Sequence, residues 1–186
     1  PHGQFGSARE IPSLRGVSEL HPIRVGKKLR PSLLILSRDE EALGLANFDK
    51  KGLFSFPEMI PTKGSPLLAV STDCDSDGVE EILVVTENDS DFFLETWKFD
   101  QNGKPKKLHE HELKDWRREP VGLFPCHLNQ DEVIDLFVLS GREAPILLLG
   151  DSSGSWKEVA KDSVVRKSFL KGTEANRLGL VKRGNA

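Results

Sequence analysis

The sequence predicts an all-β fold built from repeated units of four antiparallel strands, and three observations predict it. Apolar runs, LLILS at 33–37, ILVVT at 82–86 and LFVLS at 136–140, are each five residues long and bounded by polar or turn residues. Runs this short and this rich in Leu, Ile and Val are buried strands, too brief for helices. A turn of one pattern follows each run: DKKG at 49–52, DQNG at 100–103 and DSSG at 151–154, with aspartates 51 residues apart and then 51 again. Long helical periodicity appears nowhere; even KDSVVRKSFLKG at 161–172 alternates well enough for strand plus loop.

Each unit can be read in order. EIPSLRG at 10–16 resembles MIPTKG at 59–64, so both lead into a unit. A first strand follows, seen as LLAV at 67–70, VGLF at 121–124 and LGLV at 178–181. After a loop comes the buried run, then a hairpin and a third strand. The D-x-x-G turn and a fourth strand close the unit. In that turn the aspartate accepts hydrogen bonds from the turn's own amides, and the glycine takes the left-handed conformation without a Cβ clash. Four strands in roughly 50–57 residues is the length of a β-propeller blade. Residues 1–186 therefore read as a single propeller segment, with repeats near 17–65, 66–119 and 120–176 and partial blades at both ends. Closed propellers have about four to eight blades. These repeats, with a chain that starts at Pro1, predict a ring completed by the rest of a longer protein or by another chain.

Composition narrows the partners. Hydrophobic residues at 37% and charged residues at 30% are a globular balance, and a net charge of −3 favours neither nucleic acid nor an anionic membrane as partner. No run approaches the roughly 18 apolar residues of a membrane span, so no membrane insertion is expected. Cys74 and Cys126 leave two readings open, one disulfide or two buried thiols. Their similar places on neighbouring units argue against a bridge.

The chemistry is concentrated in DCDSDGVEE at 73–81. Asp73, Asp75 and Asp77 stand at positions 1, 3 and 5, Gly78 at 6 and Glu81 at 9. Alternating carboxylates with a bend glycine wrap oxygens around a hard cation, and without one the carboxylates repel each other. Calcium suits such a loop, since it takes about six to eight oxygens and tolerates irregular geometry. An EF-hand is excluded, because its twelfth position needs a bidentate Glu and here it is Val84, inside a strand.

With these residues in view, LLAVSTDCDSDGVEEILVVTEN at 67–88 resembles the FG-GAP/VCBS repeat of integrin-α-like propellers, whose pattern is D-x-D-x-D-G-x-x-D-[LI] leading into a strand. The family's companion turn resembles ANFDKKGLFSF at 46–56, KFDQNGK at 98–104 and LGDSSGSW at 149–156. The resemblance implies a seven-bladed or similar propeller with one calcium held by Asp73, Asp75, Asp77, Glu81 and the backbone carbonyl of Val79. Glu81 departs from the family's usual Asp. The matching positions of the third unit are His127, Asn129, Asp131 and Asp135, a degenerate second loop in which Glu132 replaces the bend glycine. In the first unit they are Arg24, Gly26, Lys28 and Ser32; cations cannot ligate a cation, so Arg24 or Lys28 is expected to fill that space itself.

Other candidates carry less. His109 and His111 share one strand face but lack a third zinc ligand and read as solvated. The basic clusters at 26–30, 104–107, 116–118 and 181–183 read as solvated tips. Trp97, Trp116 and Trp156 read chiefly as packing between blades. No nucleophile elbow, phosphate loop or metalloprotease motif occurs, so no catalytic residue is expected. The expected function is a non-enzymatic, calcium-stabilised module that binds a protein or glycan through loops on a rigid scaffold. The alternative is an accessory propeller of a larger secreted or periplasmic oxidoreductase or hydrolase. A calcium-rich location follows from the resemblance: extracellular, cell-surface or periplasmic.

Overall fold

A computed structural model of the protein describes residues 10–26, 31–100, 103–114, 116–140 and 144–160. Among them the secondary structure is entirely strand and turn, in three antiparallel four-stranded sheets. The first contains β1 (Val17–Ile23), β2 (Ser32–Ser37), β3 (Ala42–Ala46) and β4 (Glu58–Met59). The second contains β5 (Ser65–Thr72), β6 (Glu81–Asn88), β7 (Asp91–Phe99) and β8 (Pro105–Glu112). The third contains β9 (Pro120–Cys126), β10 (Asp135–Ser140), β11 (Ile146–Gly150) and β12 (Trp156–Glu158). Within every sheet, strands neighbour each other in chain order. The three short apolar runs are the second strands of their sheets, as expected. Predicted segments at 161–172 and 178–181, Lys28 and most of the cluster at 26–30 lie outside the described residues.

The D-x-x-G turns follow the physics expected of them. In all three the glycine N–H donates to the aspartate carbonyl, at 3.0 Å for Gly52–Asp49 and 2.9 Å for both Gly103–Asp100 and Gly154–Asp151. The glycines have φ of 75°, 78° and 75°, the left-handed region that a Cβ disfavours. Each aspartate carboxylate also accepts an amide from its own turn: Lys51 on Asp49 at 2.8 Å, Lys104 on Asp100 at 2.9 Å and Ser153 on Asp151 at 2.8 Å.

Alternation along the second strands explains how the sheets stack. On β6, Ile82 and Val84 join a core layer with Ile23, Leu34, Leu36, Leu43 and Leu45 of the first sheet. Their neighbours Leu83 and Val85 point the other way, into a layer with Leu123, Leu136, Val138, Ile146 and Leu148 of the third sheet. A strand buried on both faces needs apolar residues at every position, which is why ILVV is unbroken. The tryptophans are buried between sheets, Trp97 in the first layer and Trp116 and Trp156 in the second. The Trp156 indole N–H donates to Thr96 Oγ1 across that layer at 3.0 Å. The outer faces carry smaller clusters, around Ile35 and Ala46 on the first sheet and around Phe137, Leu139 and Leu147 on the third.

His109 and His111 differ from the solvated reading. Both are half-buried, and His109 Nε2 lies 2.9 Å from the Ser153 carbonyl in the turn between β11 and β12. They belong to the contact between the second and third sheets. The two cysteines are free thiols, Cys74 in the layer between those sheets and Cys126 near the outer face of the third.

Candidate metal centre

The acidic loop connects β5 to β6 and folds around its own amides. Asp73 accepts the N–H of Asp77 at 3.0 Å and of Gly78 at 2.9 Å, one on each carboxylate oxygen. Asp75 accepts Asp77 N–H at 3.1 Å, and Asp77 accepts Val79 N–H at 2.9 Å. Ser76 and Gly78 are left-handed, with φ of 59° and 84°. Nothing would meet a Cβ at Gly78, so backbone conformation alone calls for glycine there. Cys74, at the second position, turns under the loop into the apolar layer and anchors it.

Glu81 closes the loop from the first residue of β6 and is fully buried. Its Oε2 accepts the Cys74 N–H at 3.0 Å and the Cys74 thiol at 3.3 Å. Its Oε1 takes no hydrogen bond and has no solvent contact. Carboxylate atoms of Asp73, Asp75 and Glu81 all lie within 4.8 Å of one another. Two oxygens on opposite sides of a calcium ion, each about 2.4 Å from it, stand about 4.8 Å apart, so the three fit one such ion. These are three of the five sequence-predicted ligands. Asp77 is turned toward a lysine, and Val79 is held by its N–H.

That lysine is Lys98, on β7, which sequence reasoning missed. Ile82 pairs with Trp97 across the sheet, so the next position outward brings Lys98 to Glu81. Lys98 Nζ lies 2.5 Å from Asp77 Oδ2, 3.1 Å from Asp75 Oδ2 and 2.9 Å from Glu81 Oε1. At Glu81 the distance is that of an ion pair but the alignment is not that of a hydrogen bond. A signal was present in the sequence: Lys98 stands two residues before the turn aspartate Asp100, where the other units have Asn47 and Leu149.

The protonation equilibria follow from this packing. Burial raises the Glu81 pKa, and the Lys98 and Cys74 contacts offset only part of that rise. The Lys98 hydrogen bond lowers Asp77 below the usual carboxylate range. Burial works against the Lys98 charge, but the carboxylates of Asp77, Glu81 and Asp75 around it outweigh that and hold its pKa above that of an ordinary lysine. Burial, then the Glu81 charge, raises the Cys74 thiol, and burial pushes Cys126 up to about 11. Neither is a reactive thiolate near neutral pH.

The third unit's loop is built differently. Asp135 is buried and accepts Leu128 N–H at 2.6 Å and Gly150 N–H at 3.0 Å, one on each oxygen. Asn129 donates to Asp131 Oδ2 at 2.7 Å. His127 Nδ1 lies 3.0 Å from the Val133 carbonyl, whose only role in such a bond is acceptor, so Nδ1 carries the proton. Of the candidate ligands in this loop, Asn129 and Asp131 are bonded to each other, while Asp135 and His127 are bonded to backbone groups. In the first unit, Ser32 donates to Asn47 Oδ1 at 2.7 Å, a neutral pair at the Glu81–Lys98 position. Arg24 there donates its backbone N–H to Glu80 of the acidic loop at 2.9 Å. No family model matches the chain, and no curated protein matches it.

Proposed function

We propose that this chain is a segment of a calcium-stabilised β-propeller that serves as a non-enzymatic interaction scaffold, with a protein or glycan bound by loops at one end of the ring. Three consecutive four-stranded sheets stacked face to face, each with strands in chain order, support the propeller reading. Buried apolar clusters on the other faces of the first and third sheets fit sheets packed on both sides, as in a propeller that further blades from the same protein or another chain would complete. The observation that carries the metal is the convergence of Asp73, Asp75 and the fully buried Glu81, whose Oε1 has the Lys98 ammonium at 2.9 Å as its counter-charge and no aligned hydrogen bond. Asp73, Asp75 and Glu81 would hold the ion, with Asp77 and the Val79 carbonyl added by the likeness to FG-GAP/VCBS loops. Bound there, calcium would neutralise the carboxylates and tie β5 to β6. A calcium-rich compartment, extracellular or periplasmic, suits this role.

The test is thermal unfolding of the whole chain in millimolar calcium and in chelator. Calcium at about 100 times its dissociation constant adds about 2.7 kcal/mol, which raises the midpoint by about 5–10 °C in a chain of this size. Identical melts in the two conditions would overturn the structural-calcium reading.

A further inference from the structure

Asp75 and Glu81 belong to two sets at once. They form the acidic triad with Asp73, and they are two of the three carboxylates that hold the Lys98 ammonium. A divalent ion and an ammonium drawing on the same carboxylates repel each other, the more strongly because Glu81 is out of solvent. Lys98 does not neutralise the loop by itself, since it is one ammonium held by three carboxylates, at 75, 77 and 81, and the loop adds a further one at Asp73. Its side chain is long, ends at the loop rim and is 23% exposed, so it has a way out to water.

We propose that Lys98 is a tethered counter-ion that competes with the metal for this loop, so that a divalent cation binds by expelling the Lys98 ammonium. This rests on the calcium reading above and adds to it. The lysine sets the concentration at which the ion enters, and it holds the loop together below that concentration. The other units lack the device: Asn47 replaces the lysine in the first, and Leu149 in the third.

The test uses the full chain and calcium chloride alone. Calorimetric titration compares the wild type with Lys98→Met and Lys98→Gln. Both variants should bind calcium at least tenfold more tightly than the wild type. In chelator both should melt below it, and in saturating calcium the deficit should close. Equal or weaker binding by both variants, with wild-type binding intact, would overturn the competition and leave the calcium reading standing. Absence of binding by all three folded proteins would overturn both. A second measurement needs no variant: amine acetylation of the wild type, followed residue by residue by mass spectrometry. Calcium should speed acetylation of Lys98 at least threefold and leave Lys63 and Lys107 unchanged, since both are held by Glu110 away from the loop. An unchanged Lys98 rate in saturating calcium would also overturn the competition.

Discussion

The loops that lead into β6 and β10 have one frame and two ways of closing it. In both, the carboxylate at the ninth position is buried and accepts the amide of the second position, Glu81 from Cys74 and Asp135 from Leu128. In both, the second residue packs into an apolar layer. The remaining groups differ. The second unit gathers carboxylates around a cationic ammonium. The third links its polar groups to each other, with His127 bonded to the Val133 carbonyl and Gly150 supplying the second donor to Asp135. The shared frame holds the loop against the sheet, and the variable positions decide how its carboxylates are paired. The third loop keeps the shared frame without a lysine: its carboxylates take their hydrogen bonds from backbone and side-chain N–H groups instead of from an ammonium.

The largest expected effect breaks the frame in each loop. Glu81→Ala removes one partner of a desolvated ion pair and orphans the Cys74 amide, so urea unfolding should show a loss of about 3–5 kcal/mol. Asp135→Asn keeps one acceptor oxygen and no net charge, and should cost about 1–3 kcal/mol. A larger loss at Asp135 would show that the third loop, not the second, is the electrostatically critical one. Next comes the metal response. Asp73→Asn should erase the calcium-induced rise in melting temperature, whereas Asp131→Asn should leave it intact; the reverse pattern would place the ion in the third unit. A smaller effect is expected at His127, an exposed residue whose contribution is one hydrogen bond. His127→Ala should cost about 0.5 kcal/mol, equally with and without calcium.

The smallest effect tests the layer between the two units. Burial lowers the His111 pKa below its ordinary value of 6.5, with the Glu158 and Glu112 charges opposing this and the Lys114 charge adding to it. The unfolded chain then binds the proton more readily than the folded one. The stability associated with a neutral His111 is fully present above about pH 6.5 and is lost as the pH falls through the folded pKa. Unfolding free energies measured across that window in the wild type and His111→Gln should converge toward low pH. Parallel curves would mean that His111 titrates as it does in the unfolded chain.

Much of this architecture was legible in the residues. The D-x-x-G turns could be read because the hydrogen bonds that close them join residues two to four apart. The buried second strands could be read because five-residue apolar runs have few other uses. Three of the five expected ligand positions could be read from spacing as an acidic cluster that could hold a metal ion, since Asp73, Asp75 and Glu81 share one short loop. The reading of His109 as solvated failed for a reason of distance: the surface it meets is the turn at 151–154, more than forty residues downstream, and His111 on the same strand face is half-buried with it.

Lys98 marks the same boundary. A space-filling cation is expected from the loop sequences only in the first unit, at Arg24 or Lys28, because alignment of the loops shows only what lies within them. The cation of the second unit comes from the strand opposite, delivered by the register of β6 on β7. By itself the sequence determined strands, D-x-x-G turns and a cluster of carboxylates in one loop, all set by backbone geometry and hydrogen bonding over a few residues. Only the tertiary structure decided that Glu81 is out of water and that a lysine 17 residues away shares its oxygens. Desolvation and ion pairing depend on which surfaces meet across sheets, and no local pattern specifies that.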